Sequence, residues 1–334
     1  MFTAQEINEI SQLLTPENKI VILTHTNPDG DAIGSSLGLK HFLTEKGVKA
    51  DIVVPNDFPK FLKWMPEAKK ITIADYKKRK AAELVEAADV IFCLDFNASS
   101  RIGLVGTWLD RSDAVKILID HHQMPEDFDF VYSDVTIPAT CQMIYHFIEG
   151  LNSESLVNQQ ISECLYTGIM TDTGGFRFRS TSAATHRIIA KLIEKGADPA
   201  KITSNTWDTN TVSRLHLLSV ILSRIELVKD GKVAILWLKR DELKQFGFEK
   251  GDTEGFVNYG LSIMGTQVSA FFMEDLYEDF IKISFRSKDD VDVNQFSRNY
   301  FSGGGHINAA GGKFYDNIEE TIAFFREKIE AEEF

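Results

Sequence analysis

Short apolar runs alternate with segments of helical periodicity along the first part of the chain. The periodic segments include residues 4–14, 32–43 and 77–88, where apolar side chains recur every three or four positions. Continuous apolar runs separated by such helices are typical of a parallel sheet that is covered on both faces. The pattern therefore predicts an α/β fold with parallel strands at residues 20–23, 50–54, 71–73, 89–94 and 115–119.

The second part of the chain has a different pattern. Apolar alternation predicts three strands, and helical periodicity predicts helices at 206–227, 253–264 and 318–331. This is the pattern of a smaller mixed sheet with its own helices. For a chain of 334 residues, two domains are the ordinary expectation. We predict a first domain over 1–190, a helical linker over 191–215 and a second domain over 216–334, with strands at 232–237, 267–273 and 280–285.

Composition excludes several classes of protein. With 43% hydrophobic and 25% charged residues, the chain has the profile of a soluble globular protein. It shows neither a signal peptide nor an apolar run long enough to span a membrane, so we expect no membrane partner and a cytoplasmic location. The three cysteines lack CxxC spacing and lie in apolar surroundings, which predicts buried, reduced thiols.

The net charge of −13 argues against a protein that coats long nucleic acids. Such affinity comes mainly from lysine and arginine side chains that neutralise phosphates. A short anionic substrate is still compatible with an acidic chain, because bound cations and a few arginines reverse the field within one cleft.

The first predicted strand leads directly into a polar turn. His25, Asp29 and Asp31 follow this strand and precede the helix at 32–43. Open α/β sheets bind their ligands at the carboxyl ends of strands, and imidazole with carboxylate suits an ion such as Mn²⁺ or Zn²⁺. The alternative is structural, with Asp29-Gly30 as a turn and Asp31 as the cap of the helix.

Two other predicted strands end in the same residue types. Asp95 follows the strand at 89–94, and Asp120, His121 and His122 follow the strand at 115–119. Asp172 ends a periodic segment just before a glycine turn, where its alternative role is that of a turn residue. Since the carboxyl ends of parallel strands share one edge, these side chains are predicted to converge.

Convergence would place four carboxylates in one pocket: Asp29, Asp31, Asp95 and Asp172. Like charges about 4 Å apart repel by about 4 kcal/mol per pair at an effective dielectric constant of about 20. Two divalent cations would neutralise the four carboxylates, with neutral His25 and His121 completing the coordination. A pair of ions that binds a bridging water, lowers its pKa and holds phosphoryl oxygens is the arrangement of a two-metal hydrolase.

A glycine-rich segment lies near the end of the second domain. Gly303, Gly304 and Gly305 precede His306, and Arg286-Ser287 ends a predicted strand. Successive glycines let the backbone approach an anion and present N–H groups to it. We therefore predict phosphate binding here, and a substrate held in a cleft between the domains.

Four motifs in order, HTNPDGDAIGSSLGL, CLDFN, DHHQ and TDTGGFRF, resemble those of the DHH phosphoesterase superfamily. The segment 283–312, which ends in GGGHINAAGG, resembles the DHH-associated C-terminal domain of NrnA-type oligoribonucleases. One departure is visible after Asp95, where the loop with Arg101 is unlike the usual small-residue loop of the family.

The resemblance implies roles for these residues. Two Mn²⁺ ions, with Mg²⁺ or Co²⁺ as alternatives, would share Asp95. The first ion would also bind His25 and Asp29, and the second would bind Asp31, His121 and Asp172. His122 would polarise the attacked phosphate while Asp120 orients an imidazole. Arg286 and His306 would hold the far phosphate or end nucleotide.

The predicted function is hydrolysis of very short oligoribonucleotides to mononucleotides, with dephosphorylation of 3′-phosphoadenosine 5′-phosphate. The substrate would be short single-stranded RNA or a small nucleotide, and a homodimer is compatible with the sequence. The alternatives are hydrolysis of a cyclic or linear dinucleotide, an inorganic pyrophosphatase, or a regulator that binds nucleotides without catalysis.

Overall fold

The structure is a computed structural model that describes residues 1–332, and it divides into two compact units, Met1–Thr209 and Asn210–Phe334. The first unit is built on a sheet of six strands, here called sheet A. In spatial order these are β3 (Thr72–Ile73), β2 (Ala50–Val54), β1 (Ile20–Leu23), β4 (Val90–Leu94), β5 (Val115–Asp120) and β6 (Phe130–Ser133).

All neighbouring strands of sheet A run parallel, which confirms the predicted sheet. The strand order reverses between β1 and β4, the kind of position at which open α/β sheets bind ligands. The edge strand β6 was not predicted. It has only four residues and a mixed burial pattern, so it lacks the continuous apolar run that marks the central strands.

Helices cover both faces of sheet A, also as predicted. Ile20 and Ile22 face the larger core, whereas Val21 and Leu23 face a smaller core on the other side. The helices of this unit are α1 (Ala4–Leu13), α2 (Gly30–Glu45), α3 (Lys78–Glu86), α4 (Leu104–Arg111), α5 (Thr140–Gly150), α6 (Gln159–Asp172), α7 (Ala183–Glu194) and α8 (Pro199–Thr206).

Close packing between α2, α5 and α6 fixes the polar end of α2. A Cβ atom on Gly168 would lie 2.2 Å from the Cys141 sulfur and 3.0 Å from Oδ1 of Asp31. Only glycine fits there, because α6 passes directly beside Asp31 on α2 and beside the first turn of α5. The side chains of Cys93, Cys141 and Cys164 are buried and carry free thiols, as predicted.

The second unit contains sheet B, a mixed sheet of six strands. In spatial order they are β11 (Gly304–His306), β12 (Ala309–Phe314), β10 (Ile281–Ser287), β9 (Val268–Glu274), β8 (Val233–Leu238) and β7 (Glu226–Val228). Strands β8 and β9 are parallel and the other pairs are antiparallel. The predicted mixed sheet is therefore confirmed.

Two helix predictions were wrong in extent. The segment 206–227 holds helix α9 (Val212–Ser223), preceded by a loop in which the Thr211 side chain accepts a hydrogen bond from the backbone of Arg214. In 253–264, α11 (Val257–Leu261) is short because Gly255 has a left-handed φ of 74°. The other helices are α10 (Arg240–Gln245), α12 (Val293–Tyr300) and α13 (Ile318–Ala331).

The division between the units falls after Thr209, within the segment 191–215 that we predicted as a linker. This segment contains the end of α7, all of α8 and the beginning of α9. Its role as a linker stays a prediction. No helix in the described part of the chain is long and apolar enough to cross a membrane.

Candidate functional site

The turn after β1 places His25 and Asp29 at the beginning of α2. Asp29 is the N-cap residue, and its Oδ1 accepts hydrogen bonds from the backbone N–H groups of Asp31 and Ala32, at 3.0 and 3.1 Å. The alternative reading expected Asp31 to be this cap. Asp31 instead lies inside the first turn with 1% exposure, so its carboxylate points into the protein.

Asp95 occupies the first position after β4 in an unusual backbone conformation. Its φ is 63°, in the left-handed region that few residues other than glycine adopt, and its N–H donates to the Ile119 carbonyl at 3.2 Å. The residue is 1% exposed. Backbone strain of this kind accumulates at functional sites, where the surrounding structure holds the residue in place.

Asp95 belongs to two compact groups of metal-ligand atoms. One group contains His25 and Asp29, the other contains Asp31 and His121, and within each group the potential ligand atoms lie within 4.8 Å of one another. Oδ2 of Asp95 is 3.4 Å from Nε2 of His25, whereas Oδ1 is 3.4 Å from Nε2 of His121. The two oxygens of one buried carboxylate thus face different imidazoles.

Asp172 reaches the second group from α6, of which it is the last residue. Its Oδ2 lies 3.6 Å from Nε2 of His121, and Oδ2 of Asp31 lies 3.8 Å from the same nitrogen. The structure therefore brings all six predicted ligand residues into one cluster at the carboxyl edge of sheet A.

Backbone carbonyls orient both imidazoles in this cluster. Nδ1 of His25 lies 2.8 Å from the carbonyl oxygen of Thr26, and Nδ1 of His121 lies 3.1 Å from that of Ile137. A carbonyl oxygen only accepts hydrogen bonds, so Nδ1 carries the proton in each neutral ring. In a neutral ring, the Nε2 lone pair then lies on the side of the carboxylates, where a cation between them would bind it, which is the tautomer and orientation of a metal-binding histidine.

His122 and Asp120 form a dyad beside the cluster. Nδ1 of His122 donates to Oδ1 of Asp120 at 2.7 Å, and both residues form a third potential ligand group with Asp95. Asp120 is fully buried, and its Oδ2 has no hydrogen-bond partner within residues 1–332. A buried carboxylate oxygen without a donor is unfavourable unless positive charge is close by.

The pKa shifts show how the cluster behaves without cations. Burial and repulsion by Asp95 and Asp172 raise the pKa of Asp31 well above its usual value. Burial, together with repulsion by Asp29 and Asp95, raises the pKa of Asp172 to about 7. The charge density thus requires either protons or metal ions.

The pKa values of the two imidazoles and of the central carboxylate, Asp95, shift in opposite directions. Burial disfavours a charged His25, but hydrogen bonds to Asp29 and Asp95 outweigh burial and raise its pKa well above the usual value. Burial of His121 is likewise outweighed, chiefly by its hydrogen bond to Asp95. The same bonds outweigh the burial of Asp95 and hold its pKa well below the usual range. Protons on the imidazoles occupy the positions that cations would take.

The first turn of α5 holds two of the carboxylates, and the sequence did not reveal it. The N–H groups of Thr140 and Cys141 donate to Oδ2 and Oδ1 of Asp31, at 2.5 and 2.8 Å. The Thr140 hydroxyl donates to Oδ1 of Asp95 at 3.0 Å. A threonine that begins an apolar helix after a proline was the available signal, but nothing local connects it to residues more than 40 positions away.

In the second unit, Arg286 and His306 lie in one row of sheet B. Arg286 on β10 and His306 on β11 are both paired with Ala309 on the strand between them. Residues in such a row project from the same face of a sheet, and the small Ala309 leaves space between the two longer side chains. Both residues are partly exposed.

Ser287 has a different environment. It follows Arg286 on the same strand, so its side chain projects from the opposite face. Its hydroxyl donates to the Val291 carbonyl at 2.6 Å and accepts from the Asn308 side chain at 2.9 Å. The structure therefore does not bring Ser287 together with Arg286 and His306, and its hydroxyl supports the neighbouring loop instead.

Comparison with known proteins identifies both units. Residues 19–169 match the DHH family, N-terminal domain, and residues 230–332 match the DHHA1 domain. A protein of Thermus thermophilus named bifunctional oligoribonuclease and PAP phosphatase NrnA is 33% identical over 296 residues, which are 88% of this chain and 84% of the relative. The protein of the same name from Bacillus subtilis is 27% identical over 322 residues, covering 94% of this chain and 96% of the relative.

The fold also has a close counterpart among solved structures. The crystal structure of an exopolyphosphatase-related protein from Bacteroides fragilis superposes with a TM-score of 0.94 at 41% identity. The match covers 98% of this chain and 96% of that protein. The two-unit architecture described above is therefore shared over almost the full length of both chains.

Proposed function

Since this chain belongs to the DHH family, we propose that it is a two-metal phosphohydrolase that degrades very short oligoribonucleotides to mononucleotides. We also propose that it removes the 3′-phosphate of 3′-phosphoadenosine 5′-phosphate. The names of the relatives from Thermus thermophilus and Bacillus subtilis support both activities. The observation that carries the proposal is the position of Asp95, whose two oxygens face two separate groups of metal ligands.

The donor set fits two divalent cations. One would be held by His25, Asp29 and Asp95, and the other by Asp31, Asp95, His121 and Asp172. Mn²⁺ suits this mixture of imidazole and carboxylate ligands, and Mg²⁺ or Co²⁺ are alternatives. Cations bound there would supply Lewis-acid chemistry, activating water and offsetting negative charge on the phosphoryl group.

The residues around the ligands have separate tasks. Asp120 accepts a hydrogen bond from the Nδ1–H of His122, which fixes the orientation of the ring. With a proton on Nε2 as well, the ring would donate a hydrogen bond to a phosphoryl oxygen and polarise it. During hydrolysis a water oxygen bonds to phosphorus, the phosphorus bond to the departing nucleoside oxygen breaks, and that oxygen takes up a proton. Thr140 and the first turn of α5 keep Asp31 and Asp95 in position throughout.

The second unit would supply the groups that bind a nucleotide away from the reacting bond. Arg286 and His306 project from one face of sheet B on either side of Ala309, a spacing that suits a phosphate or the end of a nucleotide. A small anionic ligand of this kind agrees with a net charge that disfavours long nucleic acids.

A substrate panel tests this proposal. RNAs of two to twenty nucleotides, 3′-phosphoadenosine 5′-phosphate, a cyclic dinucleotide and pyrophosphate would be incubated with the protein and Mn²⁺, and products resolved by chromatography. We expect the highest kcat/KM for RNAs of a few nucleotides, together with release of phosphate from the bisphosphate. Preference for the cyclic dinucleotide or pyrophosphate, or binding without turnover, would contradict the proposal.

A further inference from the structure

Two exposed aromatic side chains pack on one turn of the first unit, at residues 173–178. Among residues 1–332, Phe178 is the only exposed phenylalanine and Trp207 is the only exposed tryptophan, and each residue is 40% exposed. Neither belongs to the hydrophobic cores on the two faces of sheet A. Single exposed apolar residues are common on protein surfaces, whereas two large rings on the same turn mark a candidate binding surface.

This turn directly follows a predicted metal ligand. Asp172 is the last residue of α6, and the carbonyl oxygen of the next residue, Thr173, accepts hydrogen bonds from the N–H groups of Arg177 and Phe178 at 3.0 and 3.1 Å. These bonds fold the chain back, so the backbone of Phe178 returns to the neighbourhood of Asp172. The turn therefore lies directly beside the metal-ligand cluster.

Both rings pack against the two glycines of the turn. A Cβ atom on Gly174 would lie 2.5 Å from Cζ of Phe178, and one on Gly175 would lie 2.6 Å from Cη2 of Trp207. The two glycines also have left-handed φ values of 57° and 75°. Glycine is therefore required here both for the backbone conformation and for the close approach of each ring. One ring thus lies over each glycine.

Phe176, in the same turn, has a different environment. Its ring centroid lies 5.8 Å from that of Tyr166 and 5.7 Å from that of His186, and its side chain packs against the larger core of the first unit. Phe176 therefore anchors the turn in the core. Because this anchor accounts for the packing of the turn, packing alone does not explain why Phe178 and Trp207 are exposed.

We propose that Phe178 and Trp207 form a platform on which a nucleobase of the substrate stacks while the phosphate of its nucleotide reacts at the adjacent cluster. Every base has a π-face, so stacking on aromatic rings tolerates any sequence. An enzyme that degrades short RNA to mononucleotides needs this tolerance. The identity of the ligand rests on the proposed function, whereas the platform rests on the exposure and position of the two rings.

Binding of a nucleotide and of its base-free counterpart tests the platform without turnover. Adenosine 5′-monophosphate and ribose 5-phosphate would be titrated calorimetrically, in the presence of Mg²⁺, into the unsubstituted protein, Phe178→Leu and Trp207→Leu. Phe178→Tyr and Trp207→Phe are variants that retain a ring. The matched control is Tyr277→Leu, which removes a ring that is 89% exposed in the second unit. Thermal unfolding of each variant verifies the fold.

We expect the unsubstituted protein to bind adenosine 5′-monophosphate about tenfold more tightly than ribose 5-phosphate, since stacking of one base contributes about this much. Each leucine variant should lose most of this difference while its affinity for ribose 5-phosphate stays unchanged. The variants that retain a ring, and Tyr277→Leu, should behave like the unsubstituted protein. Equal affinity for the two ligands in the unsubstituted protein, an undiminished difference in both leucine variants, or equal weakening of both ligands would overturn the proposal.

Tryptophan fluorescence provides a second measurement that does not require the leucine variants to fold. Stacking of adenine on Trp207 should quench its emission, and Trp207→Phe should abolish this quenching while calorimetry still detects binding. Quenching that persists in Trp207→Phe would place the base elsewhere and overturn the proposal. Hydrolysis of the panel substrates without base-dependent binding would refute the platform alone. Base-dependent binding in a protein that hydrolyses none of them would refute the proposed function and support the platform.

Discussion

The two units carry candidate phosphate-binding groups of opposite charge. The cluster at the edge of sheet A is acidic and mostly buried, with Asp31 and Asp95 only 1% exposed, so phosphate can approach only when cations reverse its charge. The row on sheet B is basic and partly exposed, and it needs no added ion. Under the proposed function, the first region would control whether any reaction occurs, whereas the second would control which molecule is held.

The largest effect is expected from removing the shared carboxylate charge. Asp95→Asn keeps the shape of the side chain but weakens both ligand groups at once, so turnover should fall by about 10³-fold or more. The assay is single-turnover hydrolysis of a dinucleotide with saturating Mn²⁺, and circular dichroism verifies the fold. Near-normal turnover in a folded Asp95→Asn variant would remove the basis of the comparison.

A smaller effect is expected from removing the hydrogen bond that holds the Asp95 carboxylate in place. Thr140→Val deletes the hydroxyl that donates to Asp95 while keeping the branched shape, and should weaken metal affinity about 10- to 100-fold. Thr140→Ser retains the donor and should restore most of the affinity, as measured by calorimetric titration with Mn²⁺. If both variants lost affinity equally, the role of Thr140 would be one of packing.

A substitution in the row of sheet B that contains Arg286 and His306 should change substrate binding rather than the chemical step. Arg286→Gln removes one charge-assisted contact, and KM for a dinucleotide should rise about tenfold while kcat stays nearly constant. Steady-state kinetics at saturating metal separates the two parameters. A fall in kcat at unchanged KM would place Arg286 among the groups that act on the reacting phosphate.

The smallest effect concerns pH. Asp31 and Asp172 have raised pKa values, the latter about 7, and the pKa values of His25 and His121 are also raised, so folding favours the protonated form of each group in the metal-free protein. Their contribution to stability is present at acid pH and is lost as pH rises through about 7 and above. Cations must displace these protons.

We therefore expect Mn²⁺ to raise the melting temperature by a few degrees more at pH 8 than at pH 5.5. Differential scanning calorimetry with and without EDTA measures this difference, and Asp95→Asn is the control in which it should shrink. An equal rise at both pH values would mean that metal and protons do not compete for this site.

The sequence predicted much of the first region because its signals are local. Strands β1 and β4 are continuous apolar runs and β5 is apolar from Ile117 to Ile119, and each run leads into a polar residue at the site. The contribution of Thr140 was invisible because its partner Asp31 lies 109 positions away. Long-range hydrogen bonds of this kind depend on how α2, α5 and α6 pack, which periodicity does not specify.

The second region was predicted less completely for a related reason. The glycine triplet and Arg286 are recognisable as a pattern, but the hydrogen bond from the Gly305 N–H to the Asn294 side chain forms only when α12 packs against β11. The helix predicted over 206–227 was too long because the short strand β7 follows α9 without a glycine or proline between them. Exposed segments with few apolar constraints left their boundaries undetermined.

The central claim is that Asp95 joins two cations, and anomalous diffraction from crystals grown with Mn²⁺ measures this directly. We predict two manganese peaks about 3.5 to 4 Å apart, one on each side of the Asp95 carboxylate. The first should lie against His25 and Asp29, and the second against Asp31, His121 and Asp172. A single peak, or peaks that do not contact Asp95, would contradict the account.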